Sequence, residues 1–525
     1  MELLIHFPLF SIITCFVCVV ICSLLPRKGA RICAFVAQGL CLLFGIGTLI
    51  YTLNNGTVIY QMGHLSEVEG DPTKYYWYNN VIRFGVIESL LATFFPLVLF
   101  LALNGGIVSL EQNVEKNKEK YYYVLTNLVL VSLLALVYTD DTFTGYVFLE
   151  ISTLSSVGLV AIKNKGKTTV AAIRYLIFNL VGSGLFLIGI ILLYDMTGYF
   201  MFEKILVALS SLPSSSNLPI TCSFALIAIG LGIKSGLFPF YFWMPDTYGE
   251  ATTSSASIIS GFISKGYIIL LIKFIVRVFG FSHTYIYLGQ EITVGVVERT
   301  GILNLLFILG ALGMIFGSIS AIFEKRINKM IAFSSAAQIG YIYLAIGMGE
   351  AGIACALFQI LTHAVTKPLL FTAAHGLSEA SSSKTQFKYL RNSGRRNVLA
   401  GIGFTVGALS MIGFPFFAGF VVKYVYIQSA LEGSVETYKL VVVILSLVVS
   451  TLLNTIYFIS NTVNIYSAPS KEVQEEIKQE GRYKNKWNFI IAICLFIALN
   501  IALGSIPLIY NILQQEMLNL GTIFF

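Results

Sequence analysis

The sequence predicts an all-α polytopic membrane protein with about fourteen transmembrane helices. They fall into two inverted five-helix repeats, helices 4–8 and 9–13, with helices 7 and 12 broken. Three observations carry this prediction. Apolar runs of membrane-spanning length follow one another along the chain, the charge of the loops alternates with helix number, and two spans are interrupted by matching Gly/Phe-Pro-Phe strings.

Of the 525 residues 56% are hydrophobic and 12% charged, and the mean hydropathy is +0.80. A soluble domain breaks its apolar runs into amphipathic stripes, whereas helices dissolved in lipid are apolar all round. The charges cluster between the runs. The net +7 therefore reflects basic loops at an anionic membrane surface and gives no indication of a nucleic-acid partner.

Stretches of about twenty apolar residues have their cores at 3–25, 30–52, 83–108, 121–139, 142–162, 171–194, 219–240, 252–276, 300–323, 330–348, 351–376, 398–429, 438–461 and 487–511. The first is too long for a signal peptide, lacks a basic leader, and is followed directly by Arg27 and Lys28. Basic clusters follow helices 1 (Arg27, Lys28, Arg31), 5 (Lys163, Lys165, Lys167), 9 (Lys325, Arg326, Lys329) and 11 (Lys384, Lys388, Arg391, Arg395, Arg396). Lys and Arg also enrich the loops after helices 3 and 13. Acidic loops lie between: Glu67, Glu69 and Asp71, then Asp140 and Asp141, then Glu432 and Glu436. The positive-inside rule puts the basic loops in the cytoplasm and both termini outside. An error of one in the helix count would break this alternation.

Helix 7 reads GIKSGLFPFYFWMPD and helix 12 reads ALSMIGFPFFAGFVVK. Pro239 and Pro415 each remove a backbone donor inside a span, so both helices should break there. Interrupted spans at matching places in two halves are the signature of a transporter with internal repeats, and an odd number of helices per repeat inverts the second copy. The expected organisation is 1–110 for helices 1–3, 121–279 and 299–461 for the two repeats, and 487–525 for helix 14 and the tail.

Ionisable side chains at bilayer depth cost about 2.5–3.5 kcal/mol each on insertion scales, so they mark pathways. Candidates are Glu150 in helix 5, Lys234 one turn before the helix 7 proline, Lys265 in helix 8, His363 and Lys367 at i, i+4 in helix 11, and Lys423 after the helix 12 break. Buried lysines release protons when a partner carboxylate moves away, and histidine relays protons in either direction. A Glu150–Lys234 pair would therefore act as a switch. Thr252, Thr253, Ser254, Ser255 and Ser257 would help water wires reach Lys265. Lys273 and Arg277, near a helix end, are read as snorkelling to the interface. Arg174 and Glu88 are read as structural ion pairs and His375 as an interfacial group. The C-x-x-C spacing within Cys15, Cys18 and Cys22 sits in an apolar helix without stabilising charge. It is read as small-residue packing, with no metal, iron–sulfur or other cofactor site on the chain.

The segments YTDDTFTGYVFLEI, GIKSGLFPFYFWMPDTYGEATTSSASIISGFISKGY, EKRINKMIAFSSAAQIGY, FQILTHAVTKPLLF and GFPFFAGFVVKY resemble the antiporter-like subunits shared by respiratory complex I, membrane-bound hydrogenases and Mrp-type cation/proton antiporters. The resemblance spans helices 4 to 12, and the region from YQMGHLSEVEG to IRFGVIESLLATFF looks closer to the hydrogenase and Mrp D-type branches. It implies fourteen core helices in inverted repeats. It also implies roles: Glu150 and Lys234 as the ion pair of the first repeat, Lys265 as the connecting lysine, His363 and Lys367 as the relay of the second, and Lys423 as the terminal group. Set against that family, the chain is expected to end with helix 14 and to lack the lateral helix of the largest complex I member.

The function expected is proton conduction in a multisubunit complex of a bacterial or archaeal cell membrane, with no catalytic residues on this chain. The coupling would be to redox chemistry on other subunits or to Na⁺/H⁺ exchange. Partners would be sister antiporter-like subunits, small hydrophobic subunits and a peripheral redox module, with H⁺ and Na⁺ as the candidate ions. A stand-alone transporter for an organic solute, with a pocket near Tyr241, Trp243 and Tyr248, is the alternative. A redox subunit with its own quinone site is a third reading.

Overall fold

A computed structural model describes residues 2–62, 80–287, 290–433, 436–469, 485–505 and 508–520. The expected acidic loop with Glu67, Glu69 and Asp71 and most of the loop after helix 13 lie outside them. The first helices are α1 (Phe7–Leu24), α2 (Arg27–Asn55), α3 (Val86–Asn113), α4 (Glu119–Tyr138), α5 (Thr142–Ala161) and α6 (Gly166–Thr197). Next come α7a (Asn217–Ser235), α7b (Met244–Glu250), α8 (Thr253–Phe279), α9 (Ile302–Phe323), α10 (Ile327–Gly347) and α11 (Glu350–Glu379). The chain continues through α12a (Val398–Ile412), α12b (Ala418–Glu432), α13 (Thr437–Tyr466), α14 (Trp487–Ser505) and α15 (Leu508–Leu520). Among the described residues thirteen spans are long and apolar enough to cross a membrane, and α12a with α12b makes a broken fourteenth. The predicted helix at 487–511 stops at Ser505, two residues before Pro507.

Caps explain several boundaries. Asp141 accepts from Thr144 N at 2.7 Å to open α5, and Asn397 accepts from Ala400 N at 3.2 Å to open α12a. Glu88 reaches back to Gly85 N at 2.9 Å, so it caps α3, where the sequence suggested an ion pair. Not everything is helical. Val58–Met62 pairs antiparallel with Asn80–Phe84, and His283–Tyr287 pairs with Gln290–Val294, both in connecting segments.

Burial sorts the helices into shells. The apolar windows of α8 and α11 are 100% buried and that of α10 is 94% buried, whereas those of α1, α2, α13 and α14 are 28–33% buried. The inner helices thus face protein and the outer ones present apolar flanks to lipid. This overturns the interfacial reading of Lys273 and Arg277. The two side chains are at most 6% exposed and, instead of snorkelling, are held by the connection between α4 and α5. Lys273 donates to the carbonyls of Val137 (2.7 Å) and Thr139, and Arg277 pairs with Asp140 at 2.6 Å.

The basic helix ends gather on one face. There Arg31 and Lys486 meet Glu111 at 3.1 and 2.8 Å, Arg27 meets Glu119, Arg326 meets Glu250 at 2.8 Å, and Arg174 and Lys329 share Asp246. Arg174 is thus a structural ion pair, as expected.

Candidate functional site

Both interrupted spans break in the same way. α7a ends at Ser235, and Gly236 takes a left-handed conformation at φ +84°. Gly236 N and Leu237 N both return to Gly232 O. α12a ends at Ile412, and Gly413 is left-handed at φ +90°. Gly413 N and Phe414 N both return to Leu409 O. These are closed C-terminal caps of Schellman type, and glycine supplies the positive φ without a side-chain clash. Pro239 and Pro415 follow and prevent the helix from resuming at once.

A helix end inside a membrane leaves carbonyls without helical partners. At the first break Ile233 O accepts from the indole Nε1 of Trp243 at 3.3 Å. At the second, Ile412 O accepts from the ammonium of Lys423, which also donates to Thr451 Oγ1 at 2.7 Å. The two breaks therefore solve one backbone problem, once with a neutral donor and once with a cation.

Glu150 on α5 lies 3.4 Å from Lys234 Nζ on α7a. Lys234 is fully buried while Glu150 keeps 23% of its side chain exposed. Lys234 donates to Thr153 Oγ1 at 2.6 Å, and Ser183 on α6 donates to Glu150. Thr153 and Ser152 each lie 3.4 Å from the Tyr267 hydroxyl, whose ring sits under the ammonium at 5.4 Å. The lysine thus has a second acceptor ready whenever the carboxylate withdraws.

Lys265 follows a π-helical stretch, Ile259–Ile263. Its ammonium donates back to Ser260 O, five residues earlier, and to Ser264 Oγ at 3.0 Å. π-Turns are frequent at functional positions because they shift backbone carbonyls out of the regular ladder. Ser260 Oγ lies 3.0 Å from Ser335 Oγ on α10, and the neighbouring Ser334 accepts from Lys367 Nζ at 2.5 Å. Paired serines on α10 therefore tie Lys265 to Lys367. His363, one turn from Lys367 on α11, is 1% exposed, and neither ring nitrogen has a hydrogen-bond partner among the described residues. It lines a narrow cavity with Gln338, Gln359, Thr362 and Lys423.

All six predicted pathway residues are thus arranged from α5 to α12b. No direct side-chain hydrogen bond joins Lys234 to Lys265 among the described residues, but Ser235 next to Lys234 bonds Tyr343 on α10 at 2.8 Å. Of the hydroxyls expected to hydrate Lys265, Thr252 caps α8 and Ser255 donates to Leu159 O at 2.8 Å. Ser254 and Ser257 are buried without partners among the described residues. His375 is half-buried at the basic face beside Glu379 and Lys486. Sequence reasoning assigned no role to Thr153, Ser183, Tyr267, Ser334, Ser335, Gln338, Gln359 or Thr451. The available signals were the Glu150/Thr153 spacing of one turn and the Ser-Ser pair inside an apolar span.

These features define a class: a membrane protein with two interrupted spans and a row of ionisable side chains across its core. Over residues 139–452 the chain matches the family described as NADH:quinone oxidoreductase/Mrp antiporter, transmembrane, and it belongs to that family. It is 32% identical over 405 residues to the N-type subunit of the NADH-quinone oxidoreductase of Desulforudis audaxviator, covering 76% of each chain. It is 25% identical over 431 residues to the D-type subunit of the Na(+)/H(+) antiporter of Alkalihalophilus pseudofirmus, covering 80% of each. In fold it is similar to a chain of the membrane-bound sulfane sulfur reductase, an archaeal respiratory membrane complex (TM-score 0.81, 21% identity, 99% and 98% coverage). It is equally similar to a chain of the Mrp complex from Dietzia sp. (TM-score 0.81, 20% identity, 99% and 98% coverage).

Proposed function

We propose that this chain is a proton-translocating subunit of a multisubunit membrane complex, with Glu150, Lys234, Lys265, His363, Lys367 and Lys423 forming its path. The observation that carries the reading is the succession of ammonium, hydroxyl and imidazole groups from Lys234 to Thr451 through the buried core. Membership of the family and the relatives' names, subunits of quinone oxidoreductases and of Na(+)/H(+) antiporters, support it. Partners are the other membrane subunits of such a complex, and the driving reaction is either redox chemistry elsewhere or Na⁺/H⁺ exchange.

Charge at mid-membrane is tolerated only with partners. When Glu150 pairs with Lys234 the ammonium is held. When the carboxylate turns away, Thr153 and Tyr267 keep the lysine solvated while its proton leaves towards Lys265. Water crosses the gap between the two lysines. Lys367 and His363 carry the proton on to Lys423 at the second break. The matched caps at Gly236 and Gly413 support two repeats over 121–279 and 299–461. The gathered basic face supports cytoplasmic basic loops and external termini.

The solute-pocket alternative is weakened by the aromatics offered for it. Trp243 lies against Tyr175 at 4.6 Å between centroids, and Trp243, Tyr241 and Tyr248 are at most 4% exposed. The test is ΔpH formation in vesicles carrying the assembled complex. Lys234→Ala should abolish it while assembly on native gels persists. Undiminished ΔpH in that variant would refute the path.

A further inference from the structure

Five of the chain's eight cysteines lie on the hairpin of α1 and α2, outside the 139–452 stretch that carries the family match. The C-x-x-C spacing drew attention to Cys15 and Cys18, but folding groups different partners. Cys18 and Cys22 stand one turn apart on α1 with Sγ atoms 3.5 Å apart. Cys33 comes across from α2 to 3.4 Å from Cys18 Sγ. All three sulfurs lie within 4.8 Å of one another. Cys15 and Cys41 form a separate pair at 3.3 Å. Cys18 and Cys22 are buried and Cys33 is half-buried.

We propose that Cys18, Cys22 and Cys33 form a thiolate site for a soft closed-shell cation, Cu(I) or Zn(II). Thiolate sulfur selects these ions over Na⁺, Mg²⁺ or Ca²⁺. At a metal–sulfur distance of about 2.3 Å, three sulfurs around one ion stand about 4.0 Å apart, so the 3.5 and 3.4 Å edges at Cys18 need to open by about half an ångström. The Ala30 carbonyl, 3.3 Å from Cys22 Sγ, is an oxygen available at the same place. Each thiol gives its proton to solvent as its sulfur–metal bond forms, so no oxidant is needed. Cys33, half-buried and about 10 Å along α2 from the bend at Pro26, is the sulfur an incoming ion meets first. Apolar packing alone would not require three sulfurs to converge from two helices.

The test uses the full chain in its native complex, purified in mild detergent, reduced, stripped with chelator and loaded with Cu(I) or Zn(II) separately. Element analysis should return one bound ion per chain, and competition with chelators of known affinity identifies which cation is held. The ion should be lost in Cys18→Ser and Cys33→Ser and kept in Cys222→Ser and Cys494→Ser, two exposed cysteines. Because a serine in the hairpin could disturb assembly, the wild type supplies an independent readout. Bound metal should protect the half-buried Cys33 from maleimide alkylation, and chelator should restore the reaction. Equal alkylation with and without metal, equal metal in the hairpin serine variants, or a Cys18–Cys33 disulfide in freshly prepared membranes would overturn the proposal.

Discussion

Around Lys234 a single hydroxyl decides how the charge is held. Thr153 accepts from the ammonium at 2.6 Å while the Glu150 carboxylate stands at 3.4 Å, so the neutral partner is the closer one. Thr153→Val keeps the shape and removes the acceptor. Leaving a buried polar group short of a partner costs about 1–3 kcal/mol, so proton translocation in vesicles should fall roughly tenfold, and Thr153→Ser should restore most of it. Glu150→Gln should be more severe, because it removes the charge and not just an acceptor. Arg277 and Asp140 belong to another category. They are buried and lie 2.6 Å apart, with Arg277 seventeen residues along α8 from Ser260, about 25 Å away. Arg277→Met should destabilise the detergent-purified protein by about 3–5 kcal/mol, because it strands a buried carboxylate. Adding Asp140→Asn should recover much of the melting temperature. If the double variant melts no higher than the single one, the pair is not a unit.

Among the helices, the breaks in α7 and α12 are the devices that bring polar backbone to mid-membrane. Each relies on one left-handed glycine, and at Gly413 an added Cβ would also meet the Lys423 side chain at 2.8 Å. Gly413→Ala should therefore act twice, through a backbone penalty of about 1–2 kcal/mol and through displacement of the ammonium from Ile412 O. Translocation should drop in vesicles even where the complex assembles. Wild-type rates in an assembled Gly413→Ala complex would show that the Lys423 position is not needed. The π-helical turn before Lys265 has no counterpart in the amphipathic pattern. The stretch packs against α11, with Gly261 facing Pro368 and the Ala364 carbonyl, and no periodicity in a wholly apolar span announces it.

At the scale of the molecule, the shells decide what each charge means. A lysine on an outer helix can extend to an interface, whereas Lys273 on central α8 is held by the carbonyls of Val137 and Thr139, although both look alike in a hydropathy plot. The gathered basic face makes sidedness testable. In a background without reactive cysteines, Lys165→Cys should react with a membrane-impermeant maleimide only from the cytoplasmic side, and Asn54→Cys only from the outside. The opposite pattern would invert the proposed topology. A chain with this family membership should also leave the membrane in company, and mass spectrometry of the mild-detergent extract should find other membrane subunits with it.

Composition and span length determined the membrane class, the number and order of the helices, and the two interruptions. These depend on the hydrocarbon thickness and on the backbone chemistry of glycine and proline, both of which act locally. That Glu150, Lys234, Lys265, His363, Lys367 and Lys423 lie within apolar spans was legible for the same reason, since a charge in an apolar run stands out without knowing its neighbours. Tertiary structure alone decided which hydroxyls complete the site, why Lys273 and Arg277 are buried, and how Cys33 joins Cys18 and Cys22. Those depend on which helix is central and which faces meet. In a span that is apolar all round no stripe marks the inward face, so only packing selects it.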